Sequence, residues 1–188
     1  MKKRCIVLSG LLLWVIVYGI PCMLMGNAYT PEGAVRRLHT EGESTYRKKA
    51  GDHLLMLWDT GYSHEVMVVK RTWGLLYRLH MAGSLTEREP GAALRTTWSA
   101  QLTKEQKYDT ILAAEAADPR IKKIIVTSEG PMKNITSVEA ARSQSAVYVE
   151  MDVEQGFAAQ YLLLSPADAG NFVFRGLDEA GNIVYAGW

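Results

Sequence analysis

Cysteine is almost missing from this chain: Cys5 and Cys22 are the only two, and both lie in the apolar stretch that opens it. The remainder cannot form an internal disulfide, which excludes the small disulfide-stapled scaffolds and any thiolate metal site there. A dominant charge sign is missing too. The formal net charge is +1, and Lys2, Lys3 and Arg4 stand ahead of the apolar stretch with no acid beside them, so the rest is slightly acidic. Nucleic-acid binding asks for a strongly basic face, and no nucleic-acid partner is expected. Six Pro and 16 Gly are close to average usage and no solenoid repeat is visible, which excludes low-complexity and repeat architectures. What is present is ordinary globular material, 48% hydrophobic and 22% charged over 188 residues, enough for one domain or two small ones.

One long hydrophobic run does occur. From Cys5 to Met25 no residue is charged, and the run includes Leu11, Leu12, Leu13, Trp14, Val15, Ile16 and Val17. At about 1.5 Å per residue such a run is long enough to cross a hydrocarbon core of about 30 Å, so 1–28 reads as an N-terminal transmembrane helix acting as membrane anchor or signal segment. The basic flank would stay inside, which predicts a single-pass protein of the cell membrane with its domain outside the cytoplasm. Gly26, Asn27 and Ala28 leave a cleaved signal peptide, and hence secretion, as the alternative.

Beyond residue 28 the pattern predicts an α+β, β-rich fold in two parts. In 29–106, Thr30, Pro31 and Glu32 form a helix start, with Ala34, Val35 and Leu38 on one face to about residue 41. Three apolar runs at 53–58, 64–70 and 73–80, divided by turn signals, predict a three-stranded antiparallel meander, with Trp73, Leu75, Tyr77 and Leu79 on its buried face. Residues 82–106 read as a long connection. In 107–188, strand signals at 108–114, 121–127, 145–153, 158–164, 171–177 and 182–186, with a short helix near 137–142, predict a β-sandwich-like (Ig-like) domain.

The run Asp118-Pro119-Arg120-Ile121-Lys122-Lys123-Ile124 and the later run from Phe174 through Arg175, Gly176, Asp178, Gly181 and Asn182 to Val184 carry a resemblance. Both are similar to the C-terminal β-domain of uncharacterised membrane-anchored extracytoplasmic proteins of Bacillus-type bacteria, in which a meander with a Trp-containing strand likewise precedes the β-domain. The resemblance implies an extracytoplasmic location and this layout. It implies no catalytic residue.

Chemistry is sparse. His39, His53, His64 and His80 offer no His-x-x-x-His or His-x-His spacing, and only His53, Asp59 and His64 could meet across a hairpin. Thr45 to Lys48 matches a Thr-x-x-Lys pattern with no Lys-Thr-Gly companion. Glu150, Asp152 and Glu154 share a strand face and could supply a carboxylate pair, but they alternate with Met151 and Val153 as a water-facing edge does. No cofactor, metal or catalytic residue is assigned, and enzymatic activity is not expected. Trp58 and Trp73 fit strand cores; Trp98, in the irregular connection, is the candidate partner contact. The expectation is a non-enzymatic, membrane-tethered binding module meeting an envelope protein or polymer, with an envelope hydrolase as the alternative.

Overall fold

A computed structural model describes residues 2–20, 25–72, 74–86, 91–129, 135 and 137–187. The chain folds as two compact units, residues 1–62 with 67–80, and residues 63–66 with 81–188.

The N-terminal segment corrects the first expectation. Helix α1 covers Lys2–Trp14 and gives way to a π-helical Val15–Gly19. Among the described residues no helix is long and apolar enough to cross a membrane. The described residues therefore do not supply the predicted transmembrane helix, and the tether, the single-pass location and the outside address that were read from it have no support in the fold.

Helix α2, Pro31–Val35, starts as its sequence dictates: the Thr30 hydroxyl accepts from Gly33 N at 3.0 Å, Pro31 occupies the first turn, and Ala34 and Val35 are buried. It stops well short of residue 41. Four strands follow, β1 (Glu43–Ala50), β2 (His53–Asp59), β3 (His64–Thr72) and β4 (Leu76–Ser84), in the sheet order β1-β2-β3-β4. The predicted meander has three strands; β1 escapes the apolar criterion because Tyr46 is its only buried residue. In β2, Leu55, Met56, Leu57 and Trp58 are all buried, as are Val66 to Val69 in β3, so both strands are covered on both faces. The third run is misplaced. Gly74 adopts φ +75° in a turn, so the strand begins at Leu76, which is fully buried, while Leu75 is exposed. Trp73 lies outside the described residues.

In the second unit, β5 (Leu94–Leu102), β6 (Tyr108–Ala116) and β9 (Phe157–Leu164) form one antiparallel sheet in the order β5-β6-β9. A second sheet has the order β11-β10-β7-β8, from β7 (Lys123–Ser128), β8 (Tyr148–Asp152), β10 (Phe172–Leu177) and β11 (Ile183–Gly187), with helix α3 (Val138–Gln144) between β7 and β8. Leu94, Leu112, Ala114 and Ala158 from the first of these sheets and Ile124, Val126, Met151, Phe172 and Phe174 from the second belong to one apolar cluster. The Ig-like sandwich predicted for 107–188 is also corrected. That segment does not close a sandwich by itself, because the three-stranded sheet takes its edge strand β5 from 94–102, the stretch read as connection. The fold is a β-rich α+β assembly of separate sheets, antiparallel wherever the register is resolved.

Candidate functional site

In the first unit the β1–β2 hairpin pairs Lys49 with Leu54 and Ala50 with His53. Its tip is tied to the end of β3 by Arg71 N donating to Asp52 O at 3.1 Å, and the start of β4 is tied to Ala28 by reciprocal Ala28–Tyr77 bonds of 2.8 Å. These connections frame a cleft of about 280 Å³, near the lower end of the range for small-molecule sites. Leu54, Val69 and Pro31 give it an apolar floor; Lys49 and Arg71 bring two cationic side chains, and Asp52 is the single carboxylate of the lining. His53 also lines the cleft, its ring 5.3 Å from that of His80. Lys49 and Arg71 are exposed, so their charges reach the opening rather than an interior ion pair.

The residues singled out from sequence are not brought together. Asp59 Oδ1 accepts from Gly61 N at 2.7 Å in the turn after β2. His64 Nδ1 meets both oxygens of Glu115 at 2.9 Å, and Arg95 Nη1 approaches the same carboxylate at 3.5 Å. His53 faces His80. Among the described residues no group of three or more His, Cys, Asp or Glu is placed to hold a metal ion. Thr45 to Lys48 lie within β1, where Arg47 Nη2 pairs with Glu32 at 2.8 Å.

Strand β8 carries Glu150 and Asp152 with Met151 buried between these exposed acids, whereas Glu154 lies beyond the strand in a bridge with Phe157. Glu150 pairs with Lys123, with Arg142 at 3.3 Å, and with the Tyr148 hydroxyl at 3.2 Å. Hydrogen bonding from Lys123 holds the Glu150 carboxyl below its usual range, and the same bond holds the Lys123 ammonium above its own. A glycosidase acid needs the opposite shift. Glu150 is a charge-paired edge residue.

Trp98 sits on β5 opposite Leu112 of β6. One edge of its ring system packs against Phe172 at 5.3 Å, nearly perpendicular, and 44% of the residue stays exposed. Trp58, by contrast, is fully buried and donates from Nε1 to Glu41 O at 3.0 Å.

Sequence reasoning missed a buried ionic cluster. Arg175, on the central strand β10 and 3% exposed, donates from Nη1 to Thr127 Oγ1 at 2.8 Å, from Nη2 to Glu129 Oε2 at 3.1 Å, and from Nη2 to Ile135 O at 3.1 Å. Phe172 and Phe174 face the apolar cluster, and Arg175, on the alternate face, holds the end of β7 and the segment at Ile135. Its only sequence signal is a lone Arg inside an apolar strand.

Compared with known proteins, the chain matches no protein-family model, no curated protein and no solved structure. The resemblance drawn from 118–124 and 174–184 is corrected accordingly. Those residues form turns and strands with local explanations: Asp118 binds Arg120 through both side chains, and Asp178 Oδ1 accepts from Asn182 N at 2.8 Å. Charge and turn chemistry of this kind recur in unrelated β-proteins. With the resemblance and the tether withdrawn, the membrane contact and the envelope partner inferred from them are withdrawn as well.

Proposed function

We propose that the protein binds a small anionic molecule, carrying a carboxylate or phosphate on an apolar body, in the cleft beside the β1–β2 hairpin, and that it acts by holding this ligand rather than transforming it. One observation carries the reading: Lys49 and Arg71 line one cleft together with Leu54, Val69 and Pro31. The two cations supply charge-assisted hydrogen bonds to an anionic head, and the planar Arg71 guanidinium suits bidentate pairing with carboxylate or phosphate oxygens. The aliphatic floor accepts the apolar remainder. Asp52 repels an anionic head laid against it and so restricts where the head can sit.

The test is a titration of the full chain with sodium hexanoate and, separately, with inorganic phosphate, followed by amide and methyl chemical shifts. Saturable shifts confined to Leu54, Val69 and their neighbours are expected. A charge-assisted bond contributes about 1.5–3 kcal/mol, so Lys49→Gln and Arg71→Gln should each weaken binding by roughly 10- to 100-fold. Both side chains are exposed, so the unfolding midpoint should hold. Binding that survives the double substitution unchanged, or no saturable shift with either probe, overturns the assignment.

A further inference from the structure

The edge of the three-stranded sheet in the second unit has an unusual property: it is complementary to itself. β5 pairs with β6 without a register break from Leu94 opposite Ala116 to Leu102 opposite Tyr108. On its other side, among the described residues, the β5 backbone pairs with Thr86, through Thr86 N to Thr96 O at 3.5 Å and Thr96 N to Thr86 O at 3.4 Å. These two bonds fix the direction of every backbone group along the strand. Thr96 points its N–H and C=O outward, and with a two-residue period so do Trp98, Ala100 and Leu102. The odd residues point to β6, as Thr103 N does in donating to Lys107 O at 2.7 Å. Among the described residues, nothing pairs with the outward groups of 98–102.

We infer that the protein forms a two-fold symmetric dimer in which residues 98–102 of β5 pair antiparallel with the same residues of a second copy, joining two three-stranded sheets into one of six strands. Centred on Ala100, the pairing sets Trp98 opposite Leu102 of the second copy, and Leu102 opposite its Trp98. These two side chains are 44% and 48% exposed and share one face of the sheet, so each covers the other's apolar surface. The outward-pointing residues become the hydrogen-bonded pairs of the new ladder, with no slip needed. The segment Trp98-Ser99-Ala100-Gln101-Leu102 carries no charge, so self-pairing opposes no like charges. Natural edges that avoid pairing carry Lys, Pro or a bulge, and this stretch has none of these. A second copy is the occupant the strand specifies, because a symmetric contact satisfies both edges at once and closes.

Sedimentation equilibrium of the full chain should show a mass that rises with concentration from 20.9 kDa toward twice that value. Ala100→Pro removes an outward N–H and no β5–β6 bond, as edge strands tolerate, and should raise the dissociation constant at least about tenfold. Ala100→Glu sets two carboxylates against each other at the symmetry axis and should be monomeric alone, as should Ala100→Lys, while an equimolar mixture of the two recovers the dimer. A 20.9 kDa species at every concentration, wild-type association of Ala100→Pro, or a mixture that associates no better than its components overturns the dimer.

Discussion

Arg175 and Glu129 carry opposite charges in the interior of the second unit, with side-chain exposures of 3% and 1%. Such a pair adds little net stability over apolar side chains of similar volume, yet removing one member strands the other's charge without solvent. Glu129→Gln or Arg175→Met should therefore destabilise by about 3–5 kcal/mol, while the double change Glu129→Leu with Arg175→Met should recover most of that loss. Urea unfolding of the three variants and the wild type measures the cycle; a double variant as unstable as the worse single would refute this account. The cluster was illegible in the sequence because neither residue has a periodic or motif signature. Glu129 follows β7 directly, and only the β7–β10 pairing, Ser128 opposite Phe172 through Lys123 opposite Leu177, brings Arg175 beside it.

Gly42 controls how β1 begins. Its φ is +109°, and a Cβ there would lie 2.5 Å from the Asp59 carbonyl oxygen and 2.6 Å from Trp58 Nε1, which is donating to Glu41 O. Gly42→Ala must displace backbone as well as the buried indole and should cost about 1–3 kcal/mol, read as a lowered thermal midpoint with loss of near-ultraviolet Trp dichroism. Elements of this kind mark the limit of sequence reading. Strands β6, β7, β9 and β10 were legible because Ile111 to Ala114, Ile124 to Val126, Phe157 to Ala159 and Phe172 to Phe174 are apolar runs bounded by turn residues. β1 and β5 were not, since Glu43–Ala50 and Leu94–Leu102 are polar strands whose positions follow from neighbours rather than from burial. For the same reason the cleft was invisible: Lys49 and Arg71 are ordinary surface cations until β1, β2 and β3 lie side by side. Trp98 was noticed as an aromatic in a stretch read as irregular connection, and the strand that presents it was missed.

Across the whole molecule, ionisation sets a window of stability. Hydrogen bonds from Lys123, Arg120 and Asn182 hold Glu150, Asp118 and Asp178 below their ordinary values of 4.5, 3.8 and 3.8. Carboxyls depressed in the fold stabilise it above their unfolded values and stop doing so as pH falls through the folded ones, so stability should decline progressively below about pH 4.5. At the other end, burial, aided by the hydrogen bond to Asp109, pushes the Tyr161 phenol above its ordinary 10.0. The folded state keeps that proton after the unfolded chain has lost it, so unfolding gains ground as pH rises past about 10. A urea midpoint that is flat between these limits and falls outside both is expected. A flat acid limb would show that the three carboxyl pairings contribute nothing in solution.

The order in which the chain visits its sheets has a kinetic consequence. β7 and β8 intervene between the partners β6 and β9, and β8 and β9 intervene between the partners β7 and β10, so each sheet of the second unit is completed only across a stretch of chain that belongs to the other. Pairings of such long sequence separation demand loop closure before any apolar cover is gained, so folding of this unit is expected in the milliseconds-to-seconds range of non-local β topologies, as stopped-flow fluorescence of its tryptophans would measure.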